Sequence, residues 1–161
     1  MSSSNTNLGW ALTTLLRDYL KQVDTALASL SGGSRGFMMM STIAEESCQS
    51  QVALAERLGL DRTTVTYLLD GLERDGLLTR TPDPADRRVR HVNLTQLGTK
   101  RLLELSREVD EVEVQVLSRL TEEEADHFRA ILGKAAGLSA PPDTAGMCQA
   151  AIETQDYIDG R

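Results

Sequence analysis

The chain has 161 residues, of which 40% are hydrophobic and only 4% aromatic, and its formal net charge is -7. This length suits one domain with its own core but is too short to add a full catalytic domain to a binding one, and an aliphatic composition favours helices packed through leucine and alanine over a sandwich of sheets. Residues 1–7 are polar and uncharged and no apolar run is long enough to span a bilayer, so a soluble, cytoplasmic protein with no membrane attachment is expected.

Residues 8–30 predict a long amphipathic helix, with Leu12, Leu15, Leu16, Tyr19, Val23 and Leu27 on one face at spacings of three and four. It ends at Ser31-Gly32-Gly33-Ser34, and its broad stripe needs a partner surface, either the chain's own core or a second chain. A second helix starts at Phe37-Met38-Met39-Met40. Three adjacent methionines cannot share one face, and flexible thioethers read first as core fillers. The sharper alternative is an adaptable apolar pocket lined by Trp10, Tyr19, Phe37 and Met40.

Residues 50–75 predict two short helices joined by a tight turn. Ser50 is a good N-cap, Val52, Ala55 and Leu58 recur at spacings of three, and Gly59 comes next, where a left-handed residue ends a helix cheaply. Leu60 plugs the corner and Asp61 caps the second helix, whose buried stripe is Val65, Leu68, Leu69 and Leu72. This is the pattern of a helix-turn-helix, whose second helix enters a DNA major groove by its N-terminal end. Arg62 suits a guanine edge, Thr63, Thr64 and Thr66 suit phosphates or thymine methyls, and Tyr67 adds reach and a hydroxyl. Ser50 and Gln51 at the start of the first helix join the candidate DNA contacts. The competing reading is an ordinary helical hairpin with a solvated face.

The segment after the second helix favours DNA. Residues 77–80 and 89–94 read as two strands around a loop with Pro82, Pro84, Asp83 and Asp86, which makes a β-hairpin wing. Arg87 and Arg88 fall near its tip and Arg90 on its returning strand, where guanidinium groups enter a minor groove or neutralise phosphates. Asp86 is the expected internal ion-pair partner of one of these arginines. The overall acidity argues against a generic nucleic-acid binder, but its distribution does not. Residues 78–101 hold six basic and two acidic residues, whereas residues 104–126 hold two basic and nine acidic ones.

Thr95 caps a long helix with Leu97, Leu102, Leu105, Val109, Val112, Val116, Leu117 and Leu120 as apolar positions. Thr121-Glu122-Glu123-Glu124 is a capping box for another helix, striped by Phe128, Ile131 and Leu132. Residues 139–161 form a tail, either an extra helix or disordered.

The run from Gln51 to Gly98 resembles the winged helix of the MarR family of bacterial transcriptional regulators. The resemblance is carried by Leu-Ala-Glu-Arg-Leu-Gly-Leu-Asp-Arg-Thr-Thr-Val-Thr, Leu-Glu-Arg-Asp-Gly-Leu-Leu, Asp-Pro-Ala-Asp-Arg-Arg and Leu-Thr-Gln-Leu-Gly. It implies a mainly α fold with a small β-hairpin wing. In that arrangement residues 36–94 are the winged helix, flanked by dimerisation helices over 8–30 and 95–138, all within one domain of 1–161. It also implies a homodimer on a pseudo-palindromic operator in double-stranded DNA. The residues from Arg62 to Tyr67 would lie in the major groove, Arg87 or Arg88 in the minor groove, and small amphipathic aromatics would be the effectors. Tyr67 departs from the family, which often has a basic side chain there.

Other chemistries find little support. Cys48 and Cys148 have no metal-ligand spacing, and no catalytic or cofactor motif occurs, so neither an enzyme nor a metal or cofactor protein is expected. Two rivals share the fold: a redox sensor using Cys48, which precedes the DNA-reading unit, and a winged helix used for protein contacts.

Overall fold

The computed structural model describes residues 7–45 and 49–138, and its architecture reflects where the chain can start and stop helices. Asn7 accepts from the Trp10 amide and opens α1 (Leu8–Ala26), which gives way to turns before Leu30 rather than continuing through it. α2 (Gly33–Glu45) begins four residues before Phe37 and leads through β1 (Gln49–Ser50) into α3 (Gln51–Leu58) and α4 (Arg62–Arg74). The wing strands β2 (Leu78–Pro82) and β3 (Arg90–Leu94) come next, then α5 (Gln96–Val116) and α6 (Glu122–Ala135).

β3 is the central strand of an antiparallel sheet ordered β1-β3-β2. The two-residue β1 pairs Gln49 with Val92 and Ser50 with His91, tying the start of α3 to the wing. So short a strand leaves no period-2 signal in the sequence.

The core lies between α2, α3, α4 and the sheet and is sealed by α5. It joins Leu27, Leu30, Phe37, Met38, Met39, Met40, Ile43, Leu54, Leu58, Val65, Leu68, Leu69, Leu72, Leu78, Val92 and Leu105 in one cluster. The three methionines resolve their apparent conflict simply: all are at 0% exposure, because α2 is surrounded on every side. On α3 the expected stripe needs correction. Val52 is 48% exposed and Leu54 is fully buried in its place. At 100° per residue, positions 54, 55 and 58 fall within one arc and 52 lies outside it. Val65, Leu68, Leu69 and Leu72 on α4 are buried as the periodicity requires.

Two glycines are steric necessities. A Cβ on Gly98 would stand 1.8 Å from the carbonyl oxygen of Leu77, and one on Gly36 2.1 Å from that of Ser31. The first lets α5 start against the end of α4. Thr95 fixes the same junction, accepting from the Gly98 amide at 2.9 Å and donating to the Gly76 carbonyl at 2.7 Å.

The outer helices contrast with this core. α1 buries only Leu20, a position outside the expected stripe, and α6 buries only Ala125. Leu12, Leu120, Ile131 and Leu132 are exposed, as is Leu97 at the start of α5. Among the described residues no helix is long and apolar enough to cross a membrane.

Candidate nucleic-acid interface

The α3–α4 corner is built by two caps. The Ser50 hydroxyl accepts from the Ala53 amide at 3.1 Å, and Gly59 closes α3 at φ 59. The Asp61 carboxylate accepts from the Thr63 and Thr64 amides at 2.9 and 3.0 Å and from the Thr64 hydroxyl at 2.6 Å. These bonds, the Thr64 hydroxyl first, hold the Asp61 carboxyl below its ordinary pKa. Thr64 is thereby half-buried and committed to the cap, and the Thr66 hydroxyl donates to the Arg62 carbonyl at 2.8 Å. Of the residues expected to read bases, Arg62, Thr63, Thr66 and Tyr67 present exposed side chains, Tyr67 at 72%. Gln51 is half-buried at the start of α3.

The wing is organised by aspartates. Asp83 accepts from the Ala85 and Asp86 amides at 2.6 and 3.0 Å and pairs with His91 Nε2 at 2.6 Å across the hairpin. The His91 bond is the leading cause of a lowered Asp83 pKa. Asp86 accepts from the Arg88 backbone amide at 2.9 Å. The expected ion pair is therefore replaced by an Asx turn: no guanidinium rests on Asp86 among the described residues, and the Arg88 amide takes its carboxylate instead. Arg87, Arg88 and Arg90 are exposed, and among the described residues neither they nor Arg62 has a carboxylate partner.

Arg80 behaves differently from the other basic residues of this segment. Its guanidinium bonds Asp70 at 2.6 Å and Glu73 through both Nε and Nη2, and its backbone amide donates to Glu73 at 3.2 Å. Hydrogen bonding to Arg80 depresses the Glu73 pKa and that to Glu73 raises the Arg80 pKa. Counting Arg80 as free positive charge for DNA thus overstates the wing. It is a strut from β2 to α4, and neither carboxylate partner announced itself in the sequence.

The remaining expected sites are dispersed. Phe37 and Met40 lie in the closed core, Tyr19 is half-buried on α1, and Trp10 is 75% exposed. Cys48, Cys148 and the 139–161 tail lie outside the described residues.

A helix-turn-helix with a β-hairpin after its second helix defines a winged-helix protein. Residues 35–89 match the MarR family. The fold is similar to that of wild-type MarR from E. coli, at 22% identity and TM-score 0.70 over 83% of this chain and 98% of that one. It is similar also to YusO from Bacillus subtilis, at 25% identity and TM-score 0.72 over 83% and 94%. A third likeness is the PcaV transcriptional regulator from Streptomyces coelicolor, at 24% identity and TM-score 0.65 over 82% and 96%. The fold is that of a winged-helix protein, and its residues 35–89 are similar to the MarR family over about a third of the chain.

Proposed function

We propose that this protein is a homodimeric transcriptional repressor that reads a pseudo-palindromic operator in double-stranded DNA. The observation that carries the reading is the set of exposed guanidinium groups, Arg62, Arg87, Arg88 and Arg90, which have no carboxylate partner among the described residues. They lie together at the start of α4 and on the wing, whereas Arg80, Arg101 and Arg129 are held by carboxylates elsewhere in the chain. In this reading α4 enters the major groove with Arg62, Thr63, Thr66 and Tyr67, and the wing places Arg87 or Arg88 in the minor groove. Ser50 and Gln51 approach the backbone from the start of α3, and the acidic 104–126 segment faces away.

The uncovered apolar side chains of α1 and α6 support pairing with a second copy, which sets two heads about 34 Å apart, one turn of DNA. A small amphipathic aromatic effector that prefers another spacing must, by linkage, lose affinity when the operator is bound, and so releases it. Trp10 and Tyr19 on α1, and the core residues Phe37 and Met40, which an effector would have to uncover, are the side chains proposed to receive it.

The test is fluorescence anisotropy on the DNA upstream of the protein's own coding region, with Arg87→Glu, Arg88→Glu alongside. Tight binding that collapses in the variant supports the reading. No binding by the wild type to that DNA or to a random duplex library, with a protein partner retained, would favour a protein-contact module instead.

A further inference from the structure

The loop between α1 and α2 is packed against the back of α4 more closely than a connecting loop requires. A Cβ on Gly32, which has φ 82, would fall 2.3 Å from Leu68 Cδ2, and one on Gly71 3.1 Å from the Ser31 Cβ. α4 thus carries a glycine where the loop crosses it, although glycine weakens a helix interior. At the same crossing the Ser31 hydroxyl donates to the carboxylate of Asp75, the residue that ends α4.

The loop and the start of α2 are tied to the other helices as well. The Ser34 hydroxyl donates to Asp24 of α1 at 2.7 Å. Arg101 of α5 donates to the Ser29 hydroxyl at 2.8 Å and is itself held by Glu104 and Glu108 at 3.3 Å. Two serines of the loop and one at the start of α2 therefore bond three helices. Ser29 joins the loop to α5 and Ser34 joins α2 to α1, while Ser31 carries a bond to the end of the reading helix.

We propose that Ser31 and Asp75 are positioning residues that fix the direction in which α4 is presented relative to the outer helices, and so set the spacing of the two reading heads. The proposal rests on the DNA-reading function of α4. Ser31 is half-exposed, so its bond to Asp75 contributes little to folding. Its effect lies instead in orientation, because the tether joins a rigid helix to rigid neighbours.

The experiment measures affinity for duplexes in which the half-sites of a selected operator are moved apart or together by one and two base pairs. Wild-type protein should lose affinity steeply off the optimum. Ser31→Ala and Asp75→Ala should flatten that dependence by about threefold to tenfold, the range for loss of one ordinary, partly exposed hydrogen bond. Asp75→Asn, whose amide oxygen still accepts from the hydroxyl, should restore it. A uniform loss of affinity at every spacing, or a spacing profile unchanged in both alanine variants, would overturn the proposal.

If the wild type bound no selected duplex, the DNA-reading function itself would fail. The positioning claim would then be decided by nitroxide distances between Thr63→Cys sites across the dimer, with Cys48→Ser and Cys148→Ser. A distribution broadened by Ser31→Ala supports it, and one left equally narrow overturns it.

Discussion

The α2 helix and the α6 helix are almost the same length, yet they meet opposite fates. From Gly36 to Ile43 every residue of α2 is buried, whereas α6 buries Ala125 alone and leaves Ile131 54% exposed. The first belongs to a head that closes its own core. The second is an amphipathic helix whose apolar face finds no cover among the described residues, although its capping box is fully formed. Local helix signals and packing are thus separable: Thr121 and Glu124 start α6 wherever its face ends up.

Substitutions at equivalent apolar positions sharpen this contrast most. Leu69→Ala, at 0% exposure in the head, should cost about 2–5 kcal/mol in urea denaturation at any protein concentration. Ile131→Ala should leave the unfolding of isolated chains nearly unchanged and act only through self-association, so that its effect depends on concentration. A large, concentration-independent loss at Ile131 would break the comparison.

The seam between head and α5 should be nearly as sensitive as the core. Gly98→Ala drives a methyl group into the Leu77 carbonyl, and an expected loss of about 1–3 kcal/mol should appear as a lower thermal midpoint. Within the head, Arg80→Ala removes the strut to Asp70 and Glu73. We expect a loss of about 1–2 kcal/mol, modest because Glu73 is partly open to water, together with faster amide exchange in β2.

The smallest effect is a titration. Asp83 has a folded pKa below its ordinary 3.8, so its contribution to wing order is complete above that value. It is lost as pH falls below 3.8 through the depressed pKa. His91→Gln should move the carboxyl signal of Asp83, tracked by NMR, back toward the ordinary range. An unmoved titration would show that the Ala85 and Asp86 amides alone hold the carboxylate.

Much of the head was legible because its signals are local. Ser50, Gly59 and Asp61 mark helix ends by their own chemistry, and four α4 positions at helical spacing marked its buried face. The failures are of two kinds. Val52, Leu97 and Asp86 show pattern yielding to three-dimensional surroundings: an apolar residue just off the arc, another on the open side of α5, and a carboxylate bonded to the Arg88 amide rather than to a guanidinium. The Arg80–Glu73, Asp83–His91 and Ser31–Asp75 contacts join residues from seven to forty-four positions apart, and no sequence spacing encodes such pairings.

The central claim is that a self-sufficient head is made into an operator reader by arms that need a second copy. Sedimentation of the full chain with a duplex carrying two half-sites, beside Ile131→Asp, Leu132→Asp, tests it most directly. Two wild-type chains per duplex are predicted, with the variant reduced to single folded chains that bind weakly and without preference for paired half-sites. A wild-type chain that sediments as a monomer and binds one half-site as tightly as two would contradict it.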